Sequence, residues 1–482
     1  MGSIPPAYMA SIILYFSFLA LFLRYFLWKY YADCRYWRCK PKLTIADLEQ
    51  TSSERRTSPP FISILIPARN EAEVIANTID HMATLNYPAN RYEIIVVTDA
   101  KELAAISRGE LPPPSTQEIV VAKQREYKGR GGPAIRQVAV PYDFDGRLHG
   151  DQTGHEVPST KARALNYGLQ FVDERTVLCG FYDAESHPDP DVLLHVAYSW
   201  LVSGGRVRLW QGPVFQVRNF YQLGPITKVA ALYQAIAHEW YLPNLMRRLP
   251  FIGGTNFFAE HRLLKDIGGF DPQAFTEDLE IGVRAFLESS AWPEYLPCCS
   301  TEQTPATISA FFRQRLRWAS GHLQVVEKFR RTLQYPEKRR RLMVVRLFIK
   351  GQGEWTLYQS AVFVPFLLAP IAANQPAGLN SVPLWLIIML RASTIVYLGF
   401  TFYLFFRYNP YMDRQQGCLG MGDKVLALAQ LFFLPVASFF FPLPYSTAMV
   451  LRLLHREPQA WIKTPRTRES TFAPQPMYSR RR

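Results

Sequence analysis

Cysteine is scarce in this chain, and charge is absent from two long stretches of it. The 482 residues include six cysteines, which is too few for a disulfide-built secreted scaffold, and none has the spacing of a zinc site. Residues 355–390 and 425–451 contain no charged side chain. Runs of that length can cross a bilayer. A membrane protein is therefore indicated, and a hydrophobic content of 48% excludes a disordered chain.

The positive charge is concentrated in three stretches rather than spread along the chain. The net charge is +14, and residues 24–60, 313–350 and 452–482 carry +4, +10 and +6. Each stretch lies beside or near an apolar run, as expected for segments at a cytosolic membrane surface with anionic lipids. We therefore predict membrane lipids, and not nucleic acid, as the partners of these cations.

The order of apolar and basic residues predicts how the chain is anchored. Residues 2–23 are uncharged and mostly apolar, and cations follow them. A cleaved signal peptide has its cations before the apolar stretch, so we expect a retained transmembrane anchor at 1–28 with residue 24 onward in the cytosol. The predicted organisation continues with a basic juxtamembrane linker at 29–60, an α/β domain at 61–305, interfacial helices at 306–354, a membrane region at 355–451 and a basic tail at 452–482.

The membrane region leaves the position of the tail open. Spanning segments are predicted at about 355–373, 382–406 and 425–451, and three full crossings would place the tail outside the cytosol. Its cations argue for the inside. Because Pro435, Pro442 and Pro444 interrupt the last segment, we expect that segment not to be a simple span and the tail to be cytosolic.

Alternating apolar strands and amphipathic helices predict the fold of the α/β domain. FISILIP at 61–67 and YEIIVVTD at 92–99 are typical of buried parallel strands, and the intervening residues have helical spacing. A further helix is predicted at 160–172, a strand at 176–182 and a helix from about 190. We interpret the Gly- and Pro-rich residues 107–158 as an irregular insertion.

Acidic residues follow the predicted strands, where ligands bind in such sheets. Asp183 and Glu185 follow one strand, and their hard carboxylate oxygens suit Mg²⁺ or Mn²⁺ shared with a substrate phosphate. Asp99 ends another strand, and PARNE at 67–71 follows the first one. Solvated loop acids are the alternative interpretation of these residues.

Three further groups of residues have both a chemical and a structural interpretation. Lys161 begins a predicted helix and could bind a diphosphate there, or be an exposed lysine. Glu277 and Asp278 could supply a general base, or simply occupy the first turn of a helix capped by Thr276. The last group comprises Gln314, Arg317 and Trp318, which share one helix face. These residues could bind a diphosphate and a sugar, or simply be part of an interfacial helix.

Taken in order, PARNE, VVTD, KARALN, DAE, TED and QRLRW resemble the motifs of the membrane-embedded family 2 glycosyltransferases, the inverting group that includes hyaluronan, cellulose and chitin synthases. The resemblance implies a cytosolic GT-A (Rossmann-like) domain with one N-terminal and about three C-terminal transmembrane helices, in a multi-pass protein of the plasma membrane. It also implies a nucleotide-sugar donor, most often a UDP-sugar, with Mg²⁺ or Mn²⁺ as cofactor.

By this resemblance, each motif residue has an expected role. Asp278, with Glu277 beside it, is the expected catalytic base. Asp183 and Glu185 are expected on the side of the site that binds the metal ion. The acceptor is expected at Trp318, Gly254 and Thr255, in which QGP at 211–213 would also take part. The nucleotide and its diphosphate are expected at Pro67, Glu71, Asp99, Lys161, Gln314 and Arg317. Glu185 departs from the usual D-x-D metal motif.

The expected activity is processive transfer of a sugar to a growing polysaccharide, coupled to membrane export. One alternative is the transfer of a single sugar to a membrane lipid, as in ceramide glucosyltransferases. The other is a non-catalytic membrane scaffold, which the presence of Asp99, Asp183 and Asp278 disfavours. The sequence leaves homo-oligomer formation open.

Overall fold

The computed structural model describes residues 6–359, 383–412, 420–456, 465–467 and 469. Its strands are β1 Phe61–Pro67, β2 Tyr92–Asp99, β3 Ala134–Val140, β4 Thr176–Phe181, β5 His187–Pro188, β6 Leu209–Gln211, β7 Val214–Phe215, β8 Phe257–Glu260, β9 Glu294–Tyr295 and β10 Ser300–Thr301. They form a seven-stranded sheet of order β3-β2-β1-β4-β8-β6-β9 and a three-stranded sheet of order β5-β10-β7.

The central strands form because their apolar residues are covered on both faces. Every residue of β2 is buried, as are all residues of β1 except Pro67. β1 pairs in parallel with β2 and with β4, and β8 joins β4 antiparallel. This mixed sheet confirms the α/β fold predicted from the sequence and has the strand arrangement expected of a GT-A domain.

The interpretation of residues 107–158 as irregular is wrong. They contain a helix, Thr116–Tyr127, and the edge strand β3. The helix begins with a capping box in which the Ser115 side chain accepts from Glu118 N and the Glu118 side chain accepts from Ser115 N. β3 is only half buried because it lies at the sheet edge, so its sequence lacks the uniform apolar character of β1 and β2.

Helices cover both faces of the sheet and continue into the membrane region. The remaining helices are Pro6–Ala32, Ile45–Arg55, Ile75–Met82, Ala100–Ser107, Lys161–Leu169, Val192–Ser203, Pro225–Ile236, Leu242–Leu245, His261–Asp266, Glu277–Ser289, Ile308–Arg331, Glu337–Phe348, Leu384–Tyr408, Met421–Gln430, Leu434–Phe440 and Leu443–Leu453. We call Ile308–Arg331 the QRLRW helix.

Three described helical segments are long and apolar enough to cross a membrane, namely Ser11–Trp37, Leu384–Tyr411 and Met421–Leu453. The predicted span at 355–373 lies mostly outside the described residues. Met421–Leu453 consists of three α-helical pieces that are separated at Leu431–Phe433 and at residues 441–442. Pro435 and Pro444 lie in the first turns of the second and third pieces, where the missing N–H is tolerated.

Buried contacts fix the α/β domain against the membrane helices. Glu239 is fully buried, and its carboxylate accepts from Arg407 Nε at 2.8 Å and from Tyr408 Oη at 2.7 Å. Trp28 of the first helix packs on Tyr241 with ring centroids 4.4 Å apart. Polar and aromatic contacts therefore hold the domain directly against the membrane segments, and the site described next opens toward them.

Candidate active site

One cavity of about 780 Å³ joins the carboxyl ends of the central strands to the membrane helices. Apart from QGP at 211–213, every residue given a site role from its motif lines this cavity, so the fold brings together residues that are up to 251 positions apart. They are Pro67, Glu71, Asp99, Lys161, Asp183, Glu185, Gly254, Thr255, Glu277, Asp278, Gln314, Arg317 and Trp318.

Asp99 is fixed at the end of β2 by the helix that follows it. Its Oδ1 accepts from Lys101 N at 3.0 Å and so caps Ala100–Ser107. Its Oδ2 accepts from the Ser159 hydroxyl and lies 3.4 Å from Arg163 Nη1. The carboxylate is thus buried but charge-compensated, and its orientation is set before any ligand binds.

Asp183 follows β4 directly and pairs with Lys161. Lys161 Nζ contacts Asp183 Oδ1 and donates to Gly254 O at 2.6 Å. Burial opposes the ionisation of Asp183, but Lys161, Arg466 and Arg317 outweigh it and hold the pKa of this carboxyl below its ordinary value. Lys161 therefore links the predicted metal side of the site to the loop that carries Gly254.

Glu185 is 1% exposed and lies deeper than Asp183. Its Oε1 pairs with Arg466 Nη1, whereas Oε2 accepts only a long hydrogen bond of 3.3 Å from Gln303 N. Burial raises the pKa of Glu185 to about 8, although Arg466 opposes the shift. Protonation of this carboxyl at neutral pH is thus sensitive to whatever cation lies beside it.

Arg466 belongs to a part of the tail that docks against the α/β domain. Thr467 N donates to Gln303 Oε1 at 2.8 Å, and Gln303 Nε2 donates to Thr467 O at 2.8 Å. Asn219 Nδ2 donates to Thr467 Oγ1 at 2.9 Å, and the Glu469 carboxylate pairs with Arg218. This part of the tail therefore packs directly against the α/β domain, and its cytosolic position stays a prediction.

Glu277 and Asp278 occupy the first turn of Glu277–Ser289, but the predicted cap is wrong. The Thr276 side chain makes no capping hydrogen bond, and Asp278 Oδ1 accepts from Leu279 N at 2.8 Å instead. Burial, with Asp278 beside it, raises the pKa of Glu277 to about 7. Burial also raises the pKa of Asp278. Glu277 can therefore take up a proton close to neutral pH, and Asp278 holds its proton more readily than an ordinary aspartate.

The loop before β8 approaches these acids because it is glycine-rich. Gly254 has φ +78°, and a Cβ placed there would lie 2.6 Å from Asp278 Oδ2. Gln211 holds the loop in place, since its Oε1 accepts from Gly253 N at 2.7 Å and its Nε2 donates to Thr255 O at 2.9 Å. Gln211 itself is fully buried and is not part of the cavity lining, so QGP at 211–213 supports the acceptor loop rather than contacting an acceptor.

The QRLRW helix places Gln314, Arg317 and Trp318 along the cavity, as their spacing predicts. Arg315 lines it as well. Its guanidinium lies 4.1 Å from the centroid of the Trp318 ring and its Nη2 donates to Gln216 Oε1 at 3.2 Å. The helix is therefore more than an amphipathic interfacial element, because six of its residues line the cavity, Phe311 and His322 among them.

The donor set at the end of β4 fits a hard divalent cation. Among the described residues, no group of three or more His, Cys, Asp or Glu side chains is clustered as a metal site. Asp183 and Glu185 nevertheless face one cavity, and each has an oxygen that is not paired with a cation in the contacts above. With substrate phosphate oxygens and water completing the coordination shell, two carboxylates are enough for Mg²⁺.

Several residues of the site could not be found from the sequence. Arg466 belongs to the basic tail, whose cations are predicted to face membrane lipids, and Arg163 was given no role. Glu302 is 1% exposed, and its Oε1 accepts from Ser186 Oγ at 2.6 Å and from Thr255 Oγ1 at 2.8 Å. A charge count does not reveal such pairings, because they join residues that lie far apart in the chain.

Comparison with known proteins finds similarity to glycosyltransferases. Residues 181–411 match the family described as Glycosyl transferase family group 2. The chain is 27% identical to "Probable glycosyltransferase YdaM" of Bacillus subtilis over 301 residues, which cover 60% of this chain and 61% of that protein. It is 23% identical to the β-monoglucosyldiacylglycerol synthase of Trichormus variabilis, covering 56% and 51%, and 22% identical to glucomannan 4-β-mannosyltransferase 7 of Arabidopsis thaliana, covering 56% and 44%.

A solved mannosyltransferase from Pyrobaculum calidifontis, in complex with GDP-Man and Mn²⁺, matches 92% of this chain and 100% of its own at 17% identity, with a TM-score of 0.46. The chain spans about two fifths to three fifths of the length of the curated relatives named above. The match of residues 181–411 to the family 2 glycosyltransferases confirms the resemblance found in the motifs.

Proposed function

We propose that this protein is an inverting hexosyltransferase that moves a sugar from a nucleotide sugar, most often a UDP-sugar in this family, to the end of a growing polysaccharide. The cavity carries the proposal. It runs without interruption from Asp183 and Asp278 to Tyr233 and Tyr397 beside the membrane helices. A product that grows at the carboxylates would have a path toward the membrane.

In this proposal, Asp99 and Glu71 face the nucleoside while Lys161, Gln314 and Arg317 bind the diphosphate. A guanidinium binds phosphate oxygens in a bidentate manner, and the buried position of Arg317 strengthens this interaction because water screens it less. Asp183 and Glu185 would hold Mg²⁺ or Mn²⁺. When bound, this cation neutralises charge on the departing nucleoside diphosphate.

Asp278 is the proposed base. It would take the proton of the acceptor hydroxyl, and the hydroxyl oxygen would attack the anomeric carbon from the face opposite the diphosphate, which inverts that centre. The close approach of Gly254 to Asp278 Oδ2 leaves no room for a side chain at residue 254. Trp318 would stack on the acceptor ring.

Transfer of one sugar to a membrane lipid is the second candidate, and the likeness to a β-monoglucosyldiacylglycerol synthase favours it. The two functions differ in product length. Purified protein incubated with radiolabelled nucleotide sugars and Mg²⁺ or Mn²⁺ should yield a ladder of products extending beyond single addition. Organic extraction of all label as a single lipid glycoside would instead establish the second function.

We expect transfer to depend on a divalent cation, because two carboxylates face the position proposed for the diphosphate. Excess EDTA should abolish product formation, and added Mn²⁺ or Mg²⁺ should restore it. The measurement is radiolabel incorporation before and after re-addition, with circular dichroism as a control for the fold. Full turnover in EDTA would contradict this prediction.

We expect kcat/KM to fall as the pH is lowered through the range in which these buried acids take up protons, because burial raises the pKa of the proposed base Asp278 and raises that of its neighbour Glu277 to about 7. A carboxyl with a raised pKa is protonated below that value and cannot act as a base, so activity is lost as the pH falls. A pH–rate profile at constant ionic strength tests this. An acid limb near pH 4 would show that neither buried acid controls the reaction.

Trp318→Ala is expected to impair transfer to the acceptor more than slow hydrolysis of the donor by water, because stacking concerns the acceptor sugar alone. Trp318→Phe, which keeps a ring, should retain most of the transfer. Both rates can be measured in one assay by separating nucleoside diphosphate release from product formation. Equal loss of transfer and hydrolysis, with normal donor binding, would contradict the proposed role of Trp318 in acceptor binding.

A further inference from the structure

Beyond Trp318, toward the membrane, cations and aromatic rings surround one section of the cavity. We call this section the neck and define it by six lining residues, which come from four separate segments of the chain. They are Arg24, Trp28, Tyr241, Arg315, Lys350 and Glu354. Trp28 and Tyr241 have ring centroids 4.4 Å apart, and Lys350 Nζ lies 4.5 Å from the Tyr241 centroid, so the segments meet.

Only one carboxylate balances the neck's cations within the described part of the chain. Lys350 Nζ lies 3.2 Å from Glu354 Oε2, which accounts for that pair. Arg315 donates to the neutral amide of Gln216 and lies over the Trp318 ring. Arg24 lies 4.7 Å from the Trp28 centroid, and its buried Nε has no hydrogen-bond partner among the described residues.

Two enclosed guanidinium groups therefore face the cavity without an acidic partner among its described lining residues. A buried cation is unfavourable unless it is paired, and rings compensate only part of its lost hydration. Consistent with this, burial lowers the pKa of Arg315 to about 10. The residues of the uncharged run 355–390 cannot provide the missing acid. The arrangement favours a ligand that carries a negative charge.

The rest of the wall indicates which kind of anionic ligand fits. Rings at Trp28, Tyr241 and Trp318 suit the faces of sugars. Farther toward the membrane, the lining mixes the hydroxyl-bearing side chains Tyr233 and Tyr397 with apolar ones such as Leu434 and Phe439. The rings beside the cations are therefore what favours a saccharide as the anionic ligand.

We propose that the neck binds an acidic sugar unit of the acceptor chain, a uronate whose carboxylate is held by Arg24 and Arg315. The protein would then recognise, behind the growing end, a polysaccharide that carries carboxylates. This inference rests on the proposed polysaccharide function and adds the charge of its substrate.

The test compares two ligands that differ only in charge. Full-length protein in detergent is titrated, by calorimetry at constant ionic strength, with a tetrasaccharide of glucuronic acid and with the same tetrasaccharide after reduction of its carboxyls. We expect the acidic form to bind about tenfold more tightly, since charge-assisted hydrogen bonds are the stronger kind, and the preference to fall with added salt. Equal affinities would overturn the proposal.

Variants of the neck arginines test whether the preference for the acidic tetrasaccharide arises at the neck. Arg24→Gln and Arg315→Gln should each reduce it severalfold, while Arg24→Lys should keep most of it. Arg313→Gln is the matched control, because Arg313 is exposed on the same helix and is not a lining residue of the cavity. An unchanged preference in both glutamine variants would overturn the assignment to the neck.

Two further measurements separate the possible failures. If short-chain phosphatidic acid binds at the neck and the acidic tetrasaccharide does not, the ligand is a lipid and the saccharide proposal is wrong. Donor turnover is measured on the same preparation, with the panel of nucleotide sugars. Absence of turnover with every donor would count against the proposed function, whereas the difference between the two tetrasaccharides reports on the neck alone.

Discussion

Asp278→Asn is expected to lower turnover by about a hundredfold or more while leaving donor binding nearly intact. Asparagine keeps the size of the side chain and can still accept from Leu279 N, as Asp278 Oδ1 does at 2.8 Å. It cannot take a proton from the acceptor hydroxyl. The chemical step should fail while the site keeps its shape, and stopped-time assays of transfer together with calorimetric titration of the donor would show this.

Two controls make the result interpretable. Asp266→Asn changes an acid whose side chain is half exposed and 3.3 Å from Arg208, and it should leave turnover unchanged. Glu277→Gln tests the neighbouring acid. Near-normal transfer by Asp278→Asn, accompanied by a large loss in Glu277→Gln, would move the role of base to Glu277.

Arg317→Gln should reduce kcat/KM by two to three orders of magnitude, on the scale of losing one preorganised group at a developing negative charge. In contrast to the Asp278 variant, affinity for the nucleoside diphosphate should fall as well, because Arg317 would bind the diphosphate both before and after it departs. Binding of UDP and initial rates measured on the same protein separate the two effects.

Arg313→Gln is the matched control for Arg317, since both arginines lie on the QRLRW helix and only Arg317 lines the cavity. If both variants lost activity equally, the cause would be a general change in the charge of the helix. If Arg317→Gln kept its affinity for UDP, the diphosphate role would be wrong.

The strands could be predicted to the residue where apolar runs are continuous and buried on both faces, as in Phe61–Pro67 and Tyr92–Asp99. Prediction failed for β3, because this edge strand is only partly buried and its sequence shows no continuous apolar run. Register and strand order also escape sequence reasoning, since they depend on which strands meet in space.

The candidate site was predictable where a motif follows a strand or begins a helix, because local structure then fixes the position of the side chain. Asp183, Lys161 and Asp278 belong to this group. The pairing of Arg466 with Glu185 was not predictable, since it joins residues 281 positions apart. The contacts of Gln211 with Gly253 and Thr255 were not predictable either, because they come from tertiary packing.

The docked tail has a consequence for how the protein is made. Residues 465–469 follow the helix Leu443–Leu453 in the chain, yet Arg466 lies at the carboxylates that follow β4. During synthesis the α/β domain emerges from the ribosome first, and Glu185 has no such cation beside it until Leu443–Leu453 has been translated. Completion of the site is thereby tied to the end of membrane insertion, and a nascent chain stalled before that point would have an unfinished centre.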